Sequence, residues 1–149
     1  LEAFEKSVRQ VDQWGQSLML SIAEPRRVLI TSHDAFQYFG QHFKVKVVGL
    51  QGINTLVEAG LADRANLVDF IRRHQSPALF VESSVNPKAL EEIAKESGAV
   101  IGGTLFSDAL GSENQTVPGI DGKPLSAATW QGMMVHNLST IARALNSQL

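Results

Sequence analysis

Cysteine is absent from the 149 residues, which removes disulfides, thiolate metal sites and a catalytic thiol together. Any metal bound here needs nitrogen or oxygen ligands. An excess of charge of one sign is also missing. Thirteen Lys and Arg against fifteen Asp and Glu leave a formal charge of −2, and no basic block occurs of the kind that a phosphate backbone attracts, so no nucleic acid partner is expected. No apolar run approaches the ~18 to 20 residues of a membrane span, and the opening residues do not follow the pattern of a signal sequence. The chain starts without Met and inside a helical pattern, from which a mature or excised piece is expected. There is no internal repeat, no GxGxxG or Walker pattern, and no G-x-S-x-G elbow. What remains is 44% hydrophobic and 19% charged, ordinary for a globular chain long enough to bury one core.

Hydrophobic spacing then divides the chain. Phe4, Val8, Val11, Leu18 and Ile22 recur at helical intervals, so the first two dozen residues read as an amphipathic helix ending near Glu24-Pro25, with Gly15 weakening it midway. "RVLITS" from Arg27, "KVKVVGL" from Lys44, "ALFVE" from Ala78 and "AVIGGTLF" from Ala99 read as four strands. Helical patterns separate them. "DAFQYFGQHF" has Asp34 as its expected N-cap, "DRANLVDFIRRHQ" turns Leu67, Val68, Phe70 and Ile71 inward, and "NPKALEEIAKESG" opens with Pro87 and closes at Gly98. The stretch 111–128, with three Gly and two Pro, is expected to be a mobile surface loop. A last helix follows from Thr129, with Trp130, Met134, Leu138, Ile141 and Leu145 on one face. Alternating strands and helices imply an α/β fold with a four-stranded parallel sheet flanked by helices.

In such open sheets ligands gather beyond the carboxyl ends of the strands. The residues just past those ends are Ser32-His33-Asp34, Gln51-Gly52, Glu82-Ser83-Ser84 and Phe106-Ser107-Asp108. Three chemistries compete for this rim. A phosphate site lacks its Gly-rich turn. A hydrolase has atoms in Ser32, His33 and Asp108, but no elbow carries the serine. A metal site has an imidazole and carboxylates that suit Zn²⁺ or Mn²⁺. Against all three stands the plain reading of His33 as a turn residue.

Five motifs, "TSHDAFQYF", "GLQGINT", "FVESSVNPK", "GGTLFSDALG" and "WQGMMVHNLSTIARAL", come in an order that closely resembles the C-terminal lobe of the solute-binding proteins of bacterial metal-uptake ABC transporters, the TroA and PsaA type (cluster A-I). The resemblance covers nearly the whole chain. It implies one lobe of a bilobed protein, with residues 1–24 as the end of the long interlobe helix and 25–149 as the C-terminal α/β metal-binding lobe. It further implies a divalent cation as transported ligand, Mn²⁺ or Zn²⁺ with Fe²⁺ as a further option, and no organic cofactor. The cation would be captured in the periplasm or at the extracellular face of the cytoplasmic membrane and handed to an ABC transporter permease, so the chain would not be an enzyme.

By the same resemblance His33 matches the histidine of the family's "SHDAF" motif and Asp108 the acidic residue of its "SDALG" motif, both direct metal ligands. The other two family ligands are histidines of an N-terminal lobe that this sequence does not contain. His42, His74 and His136 are expected on the surface instead. Glu82 stays open between two roles, a carboxylate bonded to nearby loop amides or to Ser83 and Ser84, and an acceptor for the ring N–H that His33 does not offer to metal. Zinc-dedicated members tend to lack the acidic ligand and to carry a His-rich loop, so Asp108 and the absence of a His-rich run lean towards manganese or a mixed member. An α/β hydrolase-like or phosphate-binding enzyme domain is the alternative. A surface attachment module has no exposed repeat or aromatic patch in the sequence to support it.

Overall fold

The β-branched runs become strands of one parallel sheet. The computed structural model describes residues 1–51, 60–74 and 78–147. In it β1 (Val28–His33), β2 (Lys46–Gln51), β3 (Ala78–Glu82) and β4 (Val100–Leu105) lie in the order β2-β1-β3-β4. Every residue of the central strands β1 and β3 is buried, which is why residues 28–30 and 78–81 read as apolar runs rather than alternating ones. β4 closes one edge and leaves Val100 and Ile101 exposed.

Helices α1 (Glu2–Leu20), α2 (Gln37–Phe43), α3 (Leu61–His74), α4 (Lys88–Ser97) and α5 (Trp130–Asn146) cover the sheet on both faces. Successive strand residues alternate between two cores. Leu29, Ala78, Phe80 and Leu105 join Val11, Met19, Phe43, Leu138 and Ile141 beneath α1, α2 and α5. Val28, Ile30, Leu79 and Val81 join Leu67, Val68, Ile71, Leu90 and Ile93 beneath α3 and α4. Each fully buried Val, Leu, Ile, Phe or Met among them is worth about 1.5–3 kcal/mol relative to exposure, so the two layers fix the sheet whose ends form the rim. The four-stranded α/β architecture expected from the sequence is the one observed. No helix among the described residues is long and apolar enough to cross a membrane.

Gly15 does more than weaken α1. A Cβ built there would lie 2.8 Å from both Leu138 Cδ1 and Phe43 Cε1, so the bare glycine lets α1 press against α5 and α2. The ~1 kcal/mol helix penalty of glycine is offset by this close approach.

Three expectations are corrected. Asp34 does not cap α2, which begins at Gln37 with Phe36 as N-cap and no side-chain cap bond. Instead β1 runs on to His33, the Ala35 N–H turns back to the His33 carbonyl (3.0 Å), and Asp34 Oδ1 accepts from Gln37 Nε2 at 2.7 Å. α3 begins at Leu61, two residues before the expected Asp63, whose Oδ2 accepts the Gly60 N–H at 3.1 Å. The stretch 111–128 is not a featureless mobile loop. It holds an antiparallel hairpin of β5 (Thr116–Pro118) and β6 (Pro124–Ser126), laced by Gly111 N–H to Ala127 O (2.9 Å), Ala127 N–H to Gln115 O (2.8 Å) and Gly119 N–H to Lys123 O (2.8 Å). Val117 and Ala127 pack with Phe106 into a small core of their own, and three-residue strands bracketed by proline carry too little period-two signal to be read from sequence. Of the rim residues named from the sequence, Gly52 lies outside the described residues.

Candidate metal centre

His33 is the last residue of β1 and Glu82 the last of β3, and because β1 and β3 are neighbours the two side chains meet at one sheet edge. Both are almost wholly buried, at 3% and 2% exposure. The His33 backbone N–H donates to Glu82 Oε1 at 2.9 Å, and His33 Nδ1 lies 2.7 Å from Glu82 Oε2. That second approach is close without the alignment of a hydrogen bond, and among the described residues neither atom has another partner. Thr31 Oγ1 donates to the His33 carbonyl at 2.8 Å, so the backbone of this residue is held from both sides. Burial pushes the Glu82 carboxyl above its ordinary value, against the opposing pull of the His33 amide and ring and the Ser107 hydroxyl.

The other ring nitrogen faces outward. His33 Nε2 stands 3.3 Å from Asp108 Oδ2, and the Asp108 side chain is 62% exposed. The imidazole therefore sits between a buried carboxylate on one side and a solvent-facing one on the other. The structure thus brings together His33, Asp108 and Glu82, the three site residues named from the sequence, with Glu82 bonded to the His33 backbone N–H and lying beside the ring nitrogen Nδ1.

Asp108 lies beyond the end of its strand, and the sheet does not hold it directly. Pairing of β3 with β4 stops at Glu82 and Leu105, extended by the Ser83 N–H donating to Leu105 O at 2.9 Å. Past that point the chain is held from α5. Asn137 Oδ1 accepts the Phe106 N–H at 2.9 Å while its Nδ2 donates to the Phe106 carbonyl at 2.8 Å. The Ser84 and Ser107 hydroxyls bond each other at 2.8 Å. The sequence pattern does not announce Asn137 as part of the site. Its one signal is a polar residue at a position that the helical spacing turns inward, and a buried amide must find partners.

The remaining histidines are engaged elsewhere. Exposed His42 pairs with Asp12 across α1 and α2. The His74 ring stacks on Phe70 and its Nδ1 lies 2.9 Å from the Phe70 carbonyl. His136 is half-buried, with Nε2 2.9 Å from Thr104 O and its ring against Phe106. Among the described residues no three His, Cys, Asp or Glu side chains are grouped so as to hold a metal by themselves. Ser32 is buried, and among the described residues its hydroxyl has no hydrogen-bond partner. It is not bonded to the imidazole, so the nucleophile–base contact of a hydrolase is missing. Tyr38 is 89% exposed, whereas Phe36 is buried.

Comparison with known proteins adds independent findings. The family model described as ZnuA, zinc-uptake complex component A periplasmic, matches residues 1–144. The manganese-binding lipoprotein MntA of Bacillus subtilis is 40% identical over 147 residues, covering 95% of this chain and 45% of that protein. The zinc-binding protein TroA of Treponema pallidum is 38% identical over 149 residues, covering 97% of this chain and 45% of that protein. The solved structure of the periplasmic zinc-binding protein TroA from Treponema pallidum superposes with a TM-score of 0.88 at 35% identity, over 98% of this chain and 51% of that one. The chain thus spans about half the length of the relatives it matches.

Proposed function

This chain belongs to the zinc-uptake complex component A family, and from that premise we propose that it is the C-terminal lobe of a metal-binding transport receptor, with His33 and Asp108 as its two protein ligands to a divalent cation. Residues 1–24 are then the end of the interlobe helix and 25–149 the lobe itself. The cation is cargo, received outside the cytoplasmic membrane and passed to a membrane permease, and the chain performs no catalysis.

The observation that carries the reading is the 3.3 Å between His33 Nε2 and Asp108 Oδ2. Two ligands on a tetrahedral zinc ion, one nitrogen at ~2.0–2.1 Å and one oxygen at ~2.0–2.2 Å, are separated by about 3.4 Å. The two donors are therefore spaced as adjacent corners of a coordination sphere. Glu82 supports this assignment from behind. Nε2 can coordinate only as the unprotonated nitrogen, which leaves the proton on Nδ1, where a carboxylate oxygen lies 2.7 Å away. The carboxylate at Asp108, a ligand type that Mn²⁺ accepts readily, favours manganese or a mixed Mn/Zn cargo over zinc alone.

Two ligands make half a site. A complete structural zinc site is worth roughly 10–16 kcal/mol. Half of its ligands retain about 4–8, a dissociation constant between about millimolar and micromolar. Titration calorimetry with Zn²⁺ and with Mn²⁺ on this chain, on His33→Ala and on Asp108→Ala tests the assignment. Binding in that range, weakened by each substitution, is the expected result. Nanomolar affinity, or affinity indifferent to both substitutions, would place the site elsewhere.

A further inference from the structure

Asp108 is the exposed partner of the candidate site, yet nothing in the sheet fixes where it stands. The β4 ladder stops at Leu105, and the Asp108 side chain is 62% exposed with the imidazole as its near neighbour. Its place is inherited from Phe106, two residues earlier. Phe106 is fastened twice. Its ring is buried with Val117 and Ala127, and its backbone N–H and C=O are both taken by the side-chain amide of Asn137. That amide acts as a substitute strand, offering one donor and one acceptor where no neighbouring backbone continues.

Asn137 is 1% exposed and lies on the inner side of α5 among Val135, Leu138 and Ile141. A buried amide costs more to desolvate than the apolar residues beside it. A leucine would fill a similar volume but could not satisfy both Phe106 groups. We propose that Asn137 is a positioning residue which, through Phe106, sets the separation of the Asp108 carboxylate from the His33 imidazole and so tunes divalent-cation affinity. This rests on the reading of His33 and Asp108 as ligands. The Ser84–Ser107 bridge is a second tether on the same segment, so removal of Asn137 loosens Asp108 rather than freeing it.

The test is a double-mutant cycle read by Zn²⁺ titration. Asn137→Ala and the volume-keeping Asn137→Leu are each made in the wild-type chain and in Asp108→Ala. If Asn137 acts through Asp108, either substitution weakens Zn²⁺ binding by about tenfold in the wild-type background, the lower end for residues that orient a ligand. In the Asp108→Ala background the loss shrinks to less than about twofold, because the group being positioned is gone. Hydrogen exchange of the Phe106 amide accelerates in both variants, with or without metal. Ile93→Ala, in the core on the opposite face of the sheet, is the control that lowers stability without touching the segment, and it leaves affinity unchanged. Equal losses in both backgrounds, a similar loss in Ile93→Ala, or an unaltered Phe106 amide would overturn the proposal. Failure of the underlying reading looks different: Zn²⁺ affinity would then ignore His33→Ala and Asp108→Ala as well, and the proposal would fall with it.

Discussion

Replacing Glu82 by glutamine keeps the size and shape of the side chain and removes one property, the ability to accept at both oxygens. In the native arrangement Oε1 accepts the His33 backbone N–H at 2.9 Å and Oε2 faces Nδ1 at 2.7 Å. An amide has one oxygen. Turned to the backbone N–H, it sets its own NH₂ against the ring nitrogen; flipped, it sets NH₂ against the backbone N–H. One donor–donor conflict is unavoidable whenever Nδ1 carries the proton, the tautomer that metal on Nε2 requires. Setting a buried donor against another donor instead of a facing oxygen costs about 1–3 kcal/mol, and loss of a carboxylate that faces the far nitrogen of a metal-ligating histidine would weaken binding by about 10- to 100-fold. Folding stability follows a different course. Burial already disfavours the charged Glu82 carboxylate, so its removal relieves a desolvation cost, and the metal-free protein can place the ring proton on Nε2 to escape the conflict. Glu82→Gln is therefore expected to shift the urea midpoint little while weakening Zn²⁺ binding at least tenfold. Calorimetry and denaturation on the same preparation measure both. Unchanged affinity, or equal free-energy losses in affinity and stability, would refute the argument.

Two further outcomes follow from named contacts. Gly49→Ala would place a Cβ 2.9 Å from Asp34 N and 3.0 Å from His33 C; because these are backbone atoms, the end of β1 must move. A cost of about 1–3 kcal/mol corresponds to a melting temperature lower by about 2–12 °C at this chain length, together with weaker Zn²⁺ binding, and an unchanged melting curve would contradict it. Asp12 lies below its ordinary value of 3.8, chiefly because the His42 ring bonds its carboxylate, with Gln16 adding a smaller contribution. A depressed carboxyl contributes stability that is fully present above the unfolded value and is lost as pH falls through the folded one. Wild type should exceed Asp12→Asn by less than about 1 kcal/mol at neutral pH, as expected for an exposed pair, and the gap should close in strong acid; urea midpoints that differ equally at every pH would rule this out.

How much of this was legible in the sequence depends on the range of the interactions involved. Strands β1 and β3 are visible because burial on both faces leaves short apolar runs, residues 28–30 and 78–81, ahead of their polar ends. The rim follows from topology, since a parallel sheet sends the ends of β1, β3 and β4 to one edge. Asp34 was misread because an aspartate before a helical pattern serves equally well in the turn that precedes one, and the choice was made by the His33 carbonyl receiving the Ala35 N–H. The hairpin of β5 and β6 escaped because its stability comes from Val117 and Ala127 packing on Phe106, a partner in a different segment. Gly15 and Asn137 were opaque for the same reason. Each is a poor helix residue by local propensity, and each is explained only by what another element presents, Leu138 and Phe43 to the one and the Phe106 backbone to the other.

The two sides of the imidazole differ in kind. On the Glu82 side everything is settled by folding: the ring is buried, its backbone is bonded to a carboxylate from the adjacent strand, and the cost of ordering it belongs to the formation of the sheet. On the Asp108 side the carboxylate is exposed and, among the described residues, tethered through its chain neighbours. On the proposed assignment, a cation arriving at Nε2 would meet one donor whose direction is already fixed and one that must still give up hydration and rotamer freedom. The fixed donor supplies a point of capture that does not depend on which ion arrives. The looser one can adjust its distance, which differs between a small tetrahedral ion and a larger one with more ligands. If His33 and Asp108 are the two ligands that the described residues of this chain offer, as proposed, tight discrimination would not come from this side alone, and a second set of donors would have to supply it.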